Sequence, residues 1–142
     1  MKKTLIAAAT VAGLATGAQA EDKNLVTVVT SPEPQTQLMS MVLSMQAVQQ
    51  GAKTRILLCG PAGDIALKDA PASATAAQPP KGMSPQGLMT KIMEAGATVE
   101  VCAIYLPGKG VGREALLDGV GVAKPPEMAG AMLADDTIVW SF

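Results

Sequence analysis

From Leu25 to Thr30 the chain reads Leu-Val-Thr-Val-Val-Thr, an apolar, β-branched run that predicts a strand. Ser31-Pro-Glu-Pro34 stops it. From Thr36 to about Gln50 the period lengthens. Leu38, Met41, Val42, Met45 and Val48 recur at the three- and four-residue spacing of a helix face, and Gly51 lies just past the end. Thr54 to Cys59 predicts a second strand, and Gly60-Pro-Ala-Gly63 turns the chain. Asp64 is placed to cap a short helix reaching Lys68. Further on, Ser84 caps a helix with Pro85 at its first position, apolar face Leu88, Met89, Ile92 and Met93, and Gly96 at its end. Thr98 to Tyr105 predicts a strand, because no breaker falls before Pro107. Gly108-x-Gly110-x-Gly112 then makes a loop that opens into a short helix from Arg113 to Leu117, with Gly119-Val-Gly121 beyond it. Pro125 and Pro126 begin a last helix running to Leu133, and Thr137 to Ser141 is a final strand.

Strands alternating with helices predict an α/β domain: a mainly parallel sheet covered on both faces. One stretch interrupts the pattern. Asp69 to Pro80 is low in complexity and reads as an exposed loop, either a tolerated insertion or a lid or oligomer arm.

The first residues have a different character. Met1-Lys2-Lys3 is basic, Thr4 to Gly17 is apolar or small, and Ala18-Gln19-Ala20 is a small-x-small cleavage site. Residues 1–20 are expected to be a cleaved secretory signal peptide. The apolar run is too short for a membrane span. Residues 21–142 are then one domain, and the short lysine-bearing leader points to the periplasm.

Charge and composition narrow the partners. The formal net charge is −1, and losing Lys2 and Lys3 makes the remainder more acidic. An acidic domain with one Phe, one Tyr and one Trp has neither the basic patch nor the stacking platforms of a nucleic-acid binder. The chain contains no histidine, which excludes Ser-His-Asp and Cys-His catalysis and any His-containing metal site within one chain.

The candidate chemistry centres on sulfur. Chemistry in α/β sheets gathers at the carboxyl ends of strands, and Cys102 is expected on the third strand just before the glycine loop. A cysteine reacts as the thiolate, which nearby positive charge favours. Lys109, Arg113 and the backbone N–H groups from Gly108 to Gly112 offer it downstream and would also suit an anion such as thiosulfate or polysulfide. Judged on residue type alone, a cysteine on a central strand is more often buried and inert. Cys59 ends the second strand. It is a second thiol that resolves an oxidised Cys102, forms a disulfide with it or simply packs, and packing is the preferred reading. The glycine loop follows a strand and precedes a helix, as a dinucleotide loop does. Its third fingerprint glycine is replaced by Arg113, however, so a turn shaping the cysteine pocket is preferred. Thioether-rich stretches suit Cu(I), but Met41, Met45, Met89 and Met93 fit apolar helix faces, and only Met39 is left unexplained. No metal site and no cofactor are expected.

Glu94-Ala-Gly-Ala-Thr-Val-Glu-Val-Cys102, followed by Leu106 and Lys109-Gly110-Val111, resembles the DsrE/DsrF-like sulfur-relay family, as does Ile56-Leu-Leu-Cys-Gly60. The resemblance covers most of residues 21–142. It implies a three-layer α/β/α, flavodoxin-like sandwich with four or five strands that assembles into homo- or hetero-oligomers. In relay members a strand cysteine, matching Cys102, carries sulfane sulfur as a persulfide between a donor and an acceptor protein. On this basis the reactive reading of Cys102 moves ahead, with Lys109, Gly110 and Arg113 as its binding loop. The chain departs from the family in its export signal and in Pro107-Gly108, which interrupts the basic loop. The rival expectations are a non-catalytic oligomeric binding protein on the same fold and, behind it, a methionine-rich copper binder.

Overall fold

The computed structural model describes residues 23–142. The signal peptide expected at residues 1–20 lies outside them. Five parallel strands form one sheet in the order β4-β3-β2-β1-β5. They are β1 (Asn24–Val29), β2 (Lys53–Leu58), β3 (Thr98–Val101), β4 (Gly121–Val122) and β5 (Thr137–Ser141). The main helices are α1 (Pro34–Gln49), α3 (Pro85–Glu94) and α5 (Pro125–Leu133), with two short ones, α2 (Ala72–Thr75) and α4 (Tyr105–Lys109). This is the α/β class with a parallel sheet expected from the alternating pattern, and the three-layer, flavodoxin-like form that the family resemblance implied.

The topology dictates which helices share a face. From β1 to β4 the chain steps in one direction across the sheet; it then returns past β1 to β5. Parallel crossovers are right-handed, so helices on the outward steps share one face and the returning helix takes the other. The packing agrees. Met41 of α1 and Leu88, Met89 and Ile92 of α3 cluster with Val29, Ile56, Leu58, Val99 and Val101. Met128 of α5 packs with Val26, Leu57 and Ala123 on the opposite face.

Four expectations need correction. The buried stripe of α1 is Gln37, Ser40, Met41, Ser44 and Ala47, while Leu38, Val42, Met45 and Val48 are half-buried at its flank. Small residues let α1 lie close to the sheet, and their polar atoms find partners. The Ser44 and Thr27 hydroxyls are 3.0 Å apart, and the Ser40 hydroxyl donates to the Gln37 carbonyl at 2.7 Å.

Asp64 does not cap a helix. It lies inside a 3-10 segment running from Gly60 to Ala66. The Asp69–Pro80 stretch is largely exposed, as expected, but it is not all loop: it contains α2, buries Ala74 and bridges Gln78 to Met83.

The third strand stops at Val101 instead of reaching Tyr105, so Cys102 lies one residue past it. Tyr105 opens α4, and Pro107 falls in that helix's first turn, where its missing N–H is no loss. Gly110 ends α4 with φ +73°, a left-handed cap that glycine adopts without strain. The expected caps of α3 are present: the Ser84 hydroxyl accepts from the Gly87 N–H at 3.1 Å, and Gly96 follows the helix end with φ +101°. Among the described residues no helix is long and apolar enough to cross a membrane.

Candidate functional site

The last register pair of β2 and β3 is Leu58 with Val101. Pairing continues one step further, because the Cys102 N–H donates to the Leu58 carbonyl at 2.9 Å. Cys59 and Cys102 therefore leave adjacent strands side by side at the carboxyl edge of the sheet. Neighbouring strands run about 4.8 Å apart. Both cysteines are free and half-buried; both pack against the α5-side cluster, and Cys102 also packs against the larger cluster on the other face. Burial pushes the Cys59 thiol up to about 12, and the adjacent Cys102 sulfur adds to the shift. Cys59 is thus held as the protonated thiol.

The two sulfurs line an open cleft of about 650 Å³ whose other walls include Gly60, Asp64, Ile104, Tyr105 and Lys109. Asp64 joins the two sides of this cleft. Its Oδ1 accepts from the Tyr105 hydroxyl at 2.6 Å and from the Lys109 Nζ at 2.6 Å. Burial, followed by the Asp64 carboxylate, raises the Tyr105 hydroxyl above its ordinary range, so it stays protonated and donates. Its ring fits because residue 63 is glycine: a Cβ there would overlap the Tyr105 ring. Ile104 stands at the cleft rim with 79 % of its surface exposed.

Of the residues singled out in the sequence, the fold brings Cys59, Cys102 and Lys109 to one cleft. Gly110 and Arg113 are exposed and are not among the residues lining it. The glycine-loop amides are already occupied. The N–H groups of Gly108, Gly110 and Val111 donate to the carbonyls of Ile104, Pro107 and Leu106, and that of Gly112 to Glu114. Asp64 and Tyr105 escaped the sequence reading. They are 41 residues apart, and each had been assigned a local role, as a cap and a strand end.

The methionines separate likewise. Met41 and Met89 are fully buried, whereas Met39 is 53 % exposed and sits beside Leu38 and Met83 in another cleft. Met39 and Met41, two residues apart on α1, do not share a face. Among the described residues no group of three or more His, Cys, Asp or Glu side chains is placed to hold a metal ion.

No family model matches the chain, and no curated protein matches it in sequence. Solved structures do match in fold. The ychN protein from E. coli superposes with a TM-score of 0.67 at 20% identity, covering 86% of this chain and 100% of its own. The protein of unknown function MTH1491 from Methanobacterium thermoautotrophicum gives 0.62 at 14% identity, covering 85% and 100%. The conserved protein of unknown function BT1422 from Bacteroides thetaiotaomicron gives 0.61 at 15% identity, covering 89% and 100%. The shared property is the fold.

Proposed function

We propose that this protein is a sulfur carrier of the DsrE-like type, in which Cys102 accepts sulfane sulfur and passes it on as a persulfide. The observation that carries the reading is the position of Cys102. It lies at the carboxyl edge of a parallel sheet, in an open cleft, with a second thiol beside it and a lysine on the same wall. The fold shared with ychN and the sequence around Cys102 support it.

In this reading the Cys102 thiolate attacks the sulfane sulfur of polysulfide, thiosulfate or a donor protein's persulfide, and the donor leaves with the bonding electron pair. Lys109 rests on Asp64 and is long and exposed enough to meet an anionic donor. Tyr105 positions Asp64, and through it Lys109. Exposed Ile104 gives a donor or acceptor protein an apolar contact beside the sulfur. The proposed setting is the periplasm, and a homo-oligomer is the proposed assembly.

The test is intact-mass spectrometry after incubation with polysulfide, thiosulfate or tetrathionate, comparing the native chain with Cys102→Ser. The expected result is reaction at Cys102, read as a mass gain of sulfur or thiosulfate held there or as sulfide or thiosulfate released from there with loss of both thiols, and neither is expected of the variant. An unchanged gain in Cys102→Ser removes the mechanism. A reduced native chain that gains nothing, releases nothing and keeps both thiols favours a non-catalytic binding protein.

A further inference from the structure

The position of Cys59 calls for a chemical account of its own. A packing cysteine needs no particular neighbour, yet this one emerges from β2 in register with Cys102, separated from it by one inter-strand step. That step, about 4.8 Å, lies inside the roughly 7 Å Cα limit for a disulfide. Both residues lie beyond the paired strands; Cys59 packs on the lightly covered side of the sheet, and Cys102 touches the clusters on both sides. Both line the same open cleft, so a reagent that reaches one reaches the other.

We propose that Cys59 is a resolving thiol: it displaces whatever sulfur-linked group Cys102 carries and closes an intramolecular Cys59–Cys102 disulfide. The step is a thiol–disulfide exchange. Cys59 Sγ attacks Cys102 Sγ, the Cys59–Cys102 bond forms, and the bond from Cys102 to its outer group breaks. The outer group leaves with the electron pair and takes up the proton that Cys59 loses. From a persulfide the product is hydrogen sulfide; from a mixed disulfide with a small thiol, it is that thiol. In this step Cys59 Sγ is oxidised, the departing sulfur is reduced, and Cys102 Sγ stays at the disulfide level throughout. A dithiol reductant reopens the pair and is itself oxidised to its disulfide.

The electrostatics give an order to these events. The Cys102 sulfur is part of what keeps Cys59 protonated. A group carried on Cys102 replaces the thiol that contacts Cys59 and removes that part of the upward shift. Cys59, held as the thiol, is placed to act once Cys102 is capped. The persulfide branch rests on the proposed sulfur carriage; the mixed-disulfide branch does not.

The experiment uses the full chain, the reduced native protein beside Cys59→Ser and Cys102→Ser. Each is treated in parallel with polysulfide and with glutathione disulfide, then alkylated and weighed intact, with released sulfide measured. Expected for the native chain is loss of two hydrogens and of both alkylatable thiols, with release of sulfide in the first treatment and of glutathione in the second. Cys59→Ser is expected to stall, holding the persulfide or the glutathione adduct on Cys102 with no release. Closure with glutathione disulfide but no sulfur uptake would sink the carrier reading and leave the thiol pair standing. A native chain that holds both adducts with Cys59 still free would overturn the pair, whatever became of the carrier. No reaction of either thiol with glutathione disulfide also overturns it.

Discussion

The two faces of the sheet are built to different depths. On one, α1 and α3 cover a large cluster in which Met41, Ile56, Leu58, Met89, Ile92, Val99 and Val101 are almost completely buried. On the other, α5 supplies one buried side chain, Met128, over Val26, Leu57 and Ala123. Cys59 packs on the thin side, and Cys102, at the end of the sheet, touches both clusters. Close packing resists displacement, so a thiol embedded in the thick face has little room to change partners. A thiol on a thinly covered face, at the end of its strand, has that room. The fold thus puts most of its buried core on one side and Cys59 on the other, with Cys102 at the edge between them.

This contrast is open to measurement. The largest effect is expected from Ile92→Ala on the thick face, about 4 kcal/mol in urea unfolding, because the surrounding close packing cannot collapse into the space. Met128→Ala on the thin face is expected to cost about 2 kcal/mol, since α5 is short and free to settle onto the sheet. It is also expected to speed alkylation of Cys59 and Cys102 in the native state, which Ile92→Ala does not. Equal costs and equal labelling rates would end the distinction between the faces.

A smaller effect, about 1 kcal/mol, is expected for Ser84→Ala, which removes the hydroxyl that caps α3 and leaves the Gly87 N–H without its acceptor. The urea midpoint reads it directly.

The last prediction concerns pH. The unfolded Cys59 thiol titrates near 9.0 and the folded one at about 12. Between these values the unfolded chain has released a proton that the native chain still holds. The contribution of this group is therefore complete below pH 9 and is lost as the pH rises toward 12. The pH profile of Cys59 alkylation follows the same titration. It is expected to move to lower pH in Cys102→Ser, where the neighbouring sulfur no longer opposes ionisation and burial alone remains. A Cys59 midpoint that is the same in Cys102→Ser as in the native chain would show that the two sulfurs do not act on each other.

Much of this architecture follows from local pattern. The β-branched runs at Leu25 and Thr54, the Ser84-Pro85 start of α3 and the paired prolines before α5 each specify an element through nearest-neighbour chemistry, and their alternation specifies a parallel sheet. Cys102 stands out in the same way, as a thiol close behind a β-branched strand. The apolar pattern of α1 misplaced the buried stripe, because close approach to the sheet favoured serine and alanine over larger apolar neighbours. The end of β3 misled because Tyr105 is drawn into α4 by a carboxylate 41 residues away and by the bare backbone of Gly63. β4, only two residues long, carries no periodic signal at all.

What the sequence determined by itself, then, is the set of elements and the presence of two thiols without a histidine to activate them. Whether those thiols meet was a matter of strand order and register. Only the pairing of β2 with β3, with Leu58 opposite Val101, sets Cys59 beside Cys102, and only the folding of the Gly60–Ala66 segment against α4 ties Lys109 to Asp64. The physical reason is range. Propensity and capping act over a few residues, whereas these contacts join positions more than forty residues apart, held together by burial of a core to which none of the four side chains is central.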